Sequence, residues 1–176
     1  MPYDPEIHHR RFIRLRGYDY SQPGSYYVTR CTQGKEHLFG QIVEGGMHRN
    51  ELGDYVARCW QWLAKQYPYV LLDEWTVMPN HLHGIIVITD SRGASRSALT
   101  TGTAPAPTKR KPLGRLVGAF KTVSTDRLNE TRGTQGSLLW QRDFYEHIIR
   151  NEDELNKIRE YIRTNPLRWV SDPEYT

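Results

Sequence analysis

Two histidines, His81 and His83, stand two positions apart in the run MPNHLHGII, residues 78–86. On a strand, side chains alternate between faces, so both rings leave the same face and can share one ligand. That geometry suits a metal ion, and a rigid strand fixes the separation of its ligands well. Taken alone, the pair fits two histidines bonded to their neighbours at least as well, since seven histidines in 176 residues give such a spacing by chance often enough. A second pair, Tyr161 and Asn165, is four residues apart in EYIRTNP, which puts both on one face of a helix. Leu155, Ile158 and Ile162 mark the core stripe of that helix, and Tyr161 lies on its flank. There its ring can pack against a sheet while its hydroxyl reaches a substrate or metal. An ordinary amphipathic tyrosine and an ordinary helix-end asparagine would occupy the same positions.

The surrounding pattern supplies elements to hold these residues. Residues 26–31, YYVTRC, read as a first strand, and a hairpin-like stretch passes through Gly45 and Gly46. Leu52, Tyr55, Val56, Cys59 and Leu63 recur at helical spacing behind Asn50, the expected cap, and Pro68 closes that helix. Residues 70–78 form a strand that turns at Pro79 and Asn80 into a second one over residues 81–89. Its run IIVI, residues 85–88, implies burial on both faces. A helix follows Pro112, with Leu113, Leu116, Val117, Phe120 and Val123 on its inner face, and ends before Gly133. Residues 138–149 read as extended, and Asn151 with Glu154 resembles a capping box opening a last helix that Pro166 stops. Strand, helix, strand, strand, helix, strand is the split βαβ order. The expected fold is therefore α+β and ferredoxin-like, an antiparallel sheet with both helices on one face and one added C-terminal helix carrying Tyr161.

Length and composition bound the rest. A chain of 176 residues fits one domain, here residues 25–176 behind a basic N-terminal arm, residues 1–24. Residues 91–111 are rich in Ser, Thr, Ala, Pro and Gly, carry Arg92, Arg96, Lys109, Arg110 and Lys111 without an acid, and read as a flexible insertion. A second cluster, Arg10, Arg11, Arg14 and Arg16, sits in the arm. The net charge of +4 suits an anionic partner, and basic segments favour phosphate backbones. No apolar run can cross a bilayer and no secretory signal opens the chain, so a cytoplasmic protein, nucleoid-associated when bound to DNA, is expected. Cys31 and Cys59 suggest neither a disulfide framework nor a zinc ribbon.

MPNHLHGII, then LGRLVGAFK, then WQRDFYEHIIRNEDEL and EYIRTNP resemble, in order and spacing, the successive blocks of the REP-associated tyrosine transposases, single-tyrosine enzymes of the HUH (histidine–hydrophobic–histidine) class. The similarity runs from the basic start, HHRRFIRLRGYDYSQPGSYYVTRC, to Trp169. The resemblance implies that His81 and His83 are paired metal ligands, that Asn165 is the third where more distant relatives carry glutamine, and that Tyr161 is the nucleophile. It also implies single-stranded DNA with hairpin-forming repeats as substrate, and a covalent 5′-phosphotyrosine intermediate that a freed 3′-hydroxyl can reverse. Imidazole ligands alone suggest zinc or another transition metal, whereas the family works with magnesium or manganese.

Lys121, Arg115 and Arg142 could meet DNA phosphates, although charged residues outside a helical stripe are commonly just solvated. His147 and Tyr145 could surround the site or belong to an edge strand. Trp60 and Trp62 interrupt the polar face of the first helix, where they could stack on unpaired bases or pack beneath the N-terminal arm. Rival readings are a catalytically silent binder of hairpin DNA or RNA on the same fold, and a phosphoesterase whose histidines activate water. A monomer and a homodimer sharing its tyrosine helix are both compatible with the sequence.

Overall fold

The computed structural model describes residues 15–90 and 109–175. Arg10, Arg11 and Arg14 of the basic arm and residues 91–108 of the insertion lie outside the described residues.

Among the described residues, six strands and three helices follow one another as β1 (Gly24–Cys31), β2 (Gly40–Val43), β3 (Gly46–Arg49), α1 (Glu51–Gln66), β4 (Val70–Val77), β5 (His81–Ile88), α2 (Leu113–Arg132), β6 (Tyr145–Ile149) and α3 (Glu152–Thr164), with a 3-10 segment over Asn165–Ser171. The sheet order is β4-β5-β1-β6, every pair antiparallel. This is the split βαβ sheet, in which each helical crossover returns the chain to a non-adjacent strand. β2 and β3 form a separate hairpin.

The local signals act as their chemistry dictates. Asn50 accepts from the Gly53 amide at 3.0 Å and opens α1. Gly133, at φ +65, closes α2 in the left-handed conformation. Asn151 accepts from the Glu154 amide at 2.8 Å and opens α3. The Glu154 carboxylate reaches back to the Arg150 amide, one residue outside the usual capping box, and also takes His147 at 2.6 Å.

Alternation along β1 and β5 divides two cores. Tyr26, Val28, Leu82, Ile86 and Ile88 face α1 and α2, where Trp60, Leu63, Leu116 and Phe120 fill the main core. Tyr27 and Ile85 point to the other face and meet Ile162 of α3. The two faces explain the uninterrupted apolar run of β5.

Two expectations need correction. Trp60 is not on a polar face: it is wholly buried, edge-on to Phe120 and against Gly84 of β5, and Trp62 packs on Tyr67. The extended segment expected over residues 138–149 is a strand only from Tyr145, with Trp140 making one isolated bridge to Thr32. Between them the chain bends around Arg30, which is 1% exposed and donates to the Asp143 and Gln141 carbonyls. Burial lowers the Arg30 pKa to about 10, so the guanidinium stays charged at neutral pH and holds these carbonyls out of a ladder.

Candidate metal centre and tyrosine

Both histidines leave the α3 face of β5 and are almost wholly buried. Their Nε2 atoms lie 2.9 Å apart. Asn80 decides the tautomer of His81. Its Nδ2 donates to the carbonyls of Lys35 and Glu174, which leaves Oδ1 to accept from His81 Nδ1 at 2.7 Å. His81 therefore carries its hydrogen on Nδ1 and presents a bare Nε2. Burial, with His83 as the next cause, pushes its pKa well below the ordinary value, so the ring is neutral. His83 Nδ1 sits 2.8 Å from both the Tyr27 hydroxyl and Thr29 Oγ1, two groups brought over it by the register of β1.

The 3-10 segment after α3 folds back over the histidines. Trp169 is buried with its ring 5.8 Å from that of His81, and Asp172 follows at the end of the turn. Asp172 Oδ2 lies 3.8 Å from His83 Nε2 and accepts from the Asn165 amide and, at 3.4 Å, from the Tyr161 hydroxyl. Its Oδ1 accepts from the Glu174 amide at 2.6 Å. Burial is the largest single influence on Asp172 and acts upward. The neighbouring His83 imidazole, 3.8 Å away, and the Asn165 amide outweigh it and hold the carboxyl below the usual carboxylate range.

His81, His83 and Asp172 bring three ligand atoms within 4.8 Å of one another. Asn165, 1% exposed, adds Oδ1, a buried oxygen without a hydrogen-bond partner. The donor set fits a cation on three grounds. A bare Nε2 facing another ring nitrogen at 2.9 Å needs a proton or a cation between them. Two adjacent ligands at about 2.1 Å from an octahedral ion would also stand about 3 Å apart. The orphaned Asn165 oxygen is a further acceptor awaiting a positive partner.

Tyr161 stands where the helix pattern put it, on the flank of Leu155, Ile158 and Ile162, half-buried, with its ring 5.3 Å from His83 and 6.4 Å from Tyr27. Thus four residues singled out in the sequence converge. Asp172 is the one that sequence reasoning missed: it belongs to no helical or strand period, and only the return of Trp169 onto His81 carries it to the site. Tyr145 and His147 lie on the edge strand β6; burial raises the Tyr145 pKa.

The three basic residues are elsewhere. α2 lies across the sheet from the histidines, and there Lys121 approaches the Gln141 carbonyl at 3.5 Å, near Arg30 and Arg142. Burial, followed by Arg30, lowers the Lys121 pKa. Arg142 is exposed, and Arg115 lines a shallow cavity of about 440 Å³ with Tyr18, Asp19 and Tyr20. No helix among the described residues is long and apolar enough to cross a membrane.

No family model matches the chain. It is 40% identical over 176 residues to an uncharacterized protein of Haemophilus influenzae (strain ATCC 51907 / DSM 11121 / KW20 / Rd), covering 98% of this chain and 97% of that one. Among solved structures, a REP-associated tyrosine transposase bound to a REP hairpin superposes with a TM-score of 0.55 at 17% identity, over 91% of this chain and 72% of the other. The identity across nearly the full length of both chains makes this protein a member of one family with the Haemophilus influenzae protein, and its fold is that of the REP-associated tyrosine transposases.

Proposed function

We propose that this chain is a metal-dependent, single-tyrosine transposase that cuts and rejoins single-stranded DNA at hairpin-forming repeats. The observation that carries the reading is the meeting of the Tyr161 hydroxyl with Asp172, beside two buried imidazoles whose Nε2 atoms face each other. Support comes also from the likeness of the fold to a transposase solved with hairpin DNA.

In this reading His81 Nε2, His83 Nε2 and Asn165 Oδ1 would hold the ion, with Asp172 beside them. A bound magnesium or manganese ion supplies a Lewis acid that binds phosphate oxygens and neutralises charge in the transition state. Tyr161 supplies the attacking oxygen: a bond forms between its phenolic oxygen and phosphorus, the bond to the 3′-oxygen breaks, and that oxygen leaves with a proton. Asp172 Oδ2 accepts the phenol's hydrogen bond and so orients it. The phosphotyrosine ester conserves the energy of the phosphodiester, so a 3′-hydroxyl can reverse the step without ATP. Lys121, Arg142 and Arg115 contact phosphates of the hairpin away from the reacting bond.

The test is incubation of the protein and its Tyr161→Phe variant with labelled single-stranded hairpins from repeats flanking its gene, with magnesium or manganese, resolved on a denaturing gel. A protein-linked DNA band that needs Tyr161 is expected. Cleavage without an adduct would replace the reading with a phosphoesterase, and tight binding without cleavage with a silent hairpin binder.

A further inference from the structure

The helix that carries Tyr161 has a thin apolar footing. Ile162 is its one fully buried residue, and Leu155, Ile158 and Tyr161 are only partly covered against Tyr27, Ile85 and their neighbours. Such a contact leaves a helix free to roll or slide unless polar groups fix it. Two arginines, Arg159 and Arg163, are four apart on α3 and project together, nearly opposite Tyr161 on the helical wheel.

Both are met by successive residues of β4. Arg159 makes a two-pronged bond to Asp73, Nε to Oδ1 at 2.8 Å and Nη2 to Oδ2 at 2.6 Å. Arg163 Nε donates to Glu74 Oε2 at 3.1 Å. In a regular strand, neighbouring side chains point to opposite faces, so Asp73 and Glu74 could not both serve one helix. β4 is irregular at this point. Leu72 pairs with Ile86 and Trp75 with Gly84, so three steps on β4 span two on β5. The inserted residue is a β-bulge, which re-aims side chains locally. Asp73 Oδ1 also accepts from the Glu74 amide at 2.7 Å, which ties the carboxylate to the bulge itself.

We infer that the β4 bulge, through Asp73–Arg159 and Glu74–Arg163, sets the rotation and register of α3 and so positions the Tyr161 hydroxyl over the histidines. Asp73 and Arg159 are positioning residues that touch no reacting atom. The two-pronged pair, with side chains 21% and 27% exposed, carries most of the effect because its planar fork fixes angle as well as distance. The inference rests on the proposed role of Tyr161.

The experiment uses the full-length Asp73→Asn, Arg159→Gln and Arg159→Lys variants. Single-turnover adduct formation at saturating hairpin DNA is expected to slow by roughly tenfold to a hundredfold in Arg159→Gln and Asp73→Asn, the scale of small misplacements of a reacting group. Arg159→Lys, which keeps the charge but loses the fork, should fall between Gln and wild type. Hairpin affinity should stay within about twofold of wild type, since the pairs lie away from the reacting groups. Hydrogen exchange gives a readout that does not depend on activity. Amides of α3 should exchange faster in the variants while those of β1 and β5 keep their protection. Unchanged exchange in α3 would overturn the clamp. Faster exchange with an unchanged adduct rate would overturn its positioning role. A wild-type protein that forms no adduct would remove the proposed chemistry, and the exchange data would still decide whether the bulge holds the helix.

Discussion

Trp60 of α1 lies against Gly84 of β5 so closely that a Cβ at position 84 would stand 2.5 Å from Trp60 Cζ2 and 3.1 Å from Trp75 Cβ. The glycine of HLHG thus belongs to the core behind the histidines, on the face away from the proposed metal. Gly84→Ala should destabilise the protein by about 1–3 kcal/mol through overpacking. Trp60→Phe in the same chain should recover part of that loss, because the clash is with the larger ring. Urea unfolding of the two single variants and the double variant measures the coupling; strict additivity would show that the two positions do not press on each other.

The Asn80 amide fixes the His81 hydrogen on Nδ1. Asn80→Ala should lower manganese affinity by roughly tenfold to a hundredfold, the usual effect of removing a group that orients a metal-binding histidine. Titration calorimetry with manganese alone reads this without any DNA. An unaltered affinity would mean that the tautomer is set by something other than Asn80.

In the proposed metal centre Asp172 would serve as a further ligand beside His81 and His83. Asp172→Ala should weaken manganese binding by about tenfold or more, on the same scale as other losses around a metal. An increase in affinity would show instead that the carboxylate occupies space the ion needs.

Arg159 beside Asp73 is the first cause holding the Asp73 carboxyl below its ordinary range. A depressed carboxyl stabilises the fold fully above its unfolded pKa, about 3.9, and loses that contribution as pH falls through the folded value. Asp73→Asn should therefore cost about 1 kcal/mol at pH 7, and the difference from wild type should fade as pH drops below 4. Denaturation at a series of pH values measures it. A difference that persists undiminished in acid would mean that charge is not what the substitution removed.

Lys121, Arg142 and Arg115 lie on the far side of the sheet or at its end, away from the histidines. If they contact phosphates, replacing any one by alanine should weaken hairpin binding across sequences and reduce the salt slope of log K by about 1. Binding measured between 50 and 200 mM salt, a range over which phosphate contacts dominate, reads the slope. A slope unchanged in all three variants would place the DNA elsewhere on the surface.

Much of this protein was legible in its sequence because local rules generate it. Period-two alternation put His81 and His83 on one face, the 3.6 period put Tyr161 beside the core stripe of its helix, and Asn50, Asn151 and Gly133 marked helix ends by their own hydrogen-bonding and backbone preferences. The split βαβ order followed from the succession of elements. Tertiary packing decided the rest. Trp60 lay on the polar face of the helix pattern, open to stacking on bases or packing beneath the arm, until the missing Cβ of Gly84 on β5 gave it room in the core. Residues 138–144 carried strand-like residue types, but a buried Arg30 claimed the Gln141 and Asp143 carbonyls. Asp172 reached the histidines only because Trp169 folded onto His81, and Asp73 and Glu74 could face one helix only because β4 carries an extra residue. Periodicity reports which face a side chain takes within its own element, and these four outcomes depend on what another element brings to meet it.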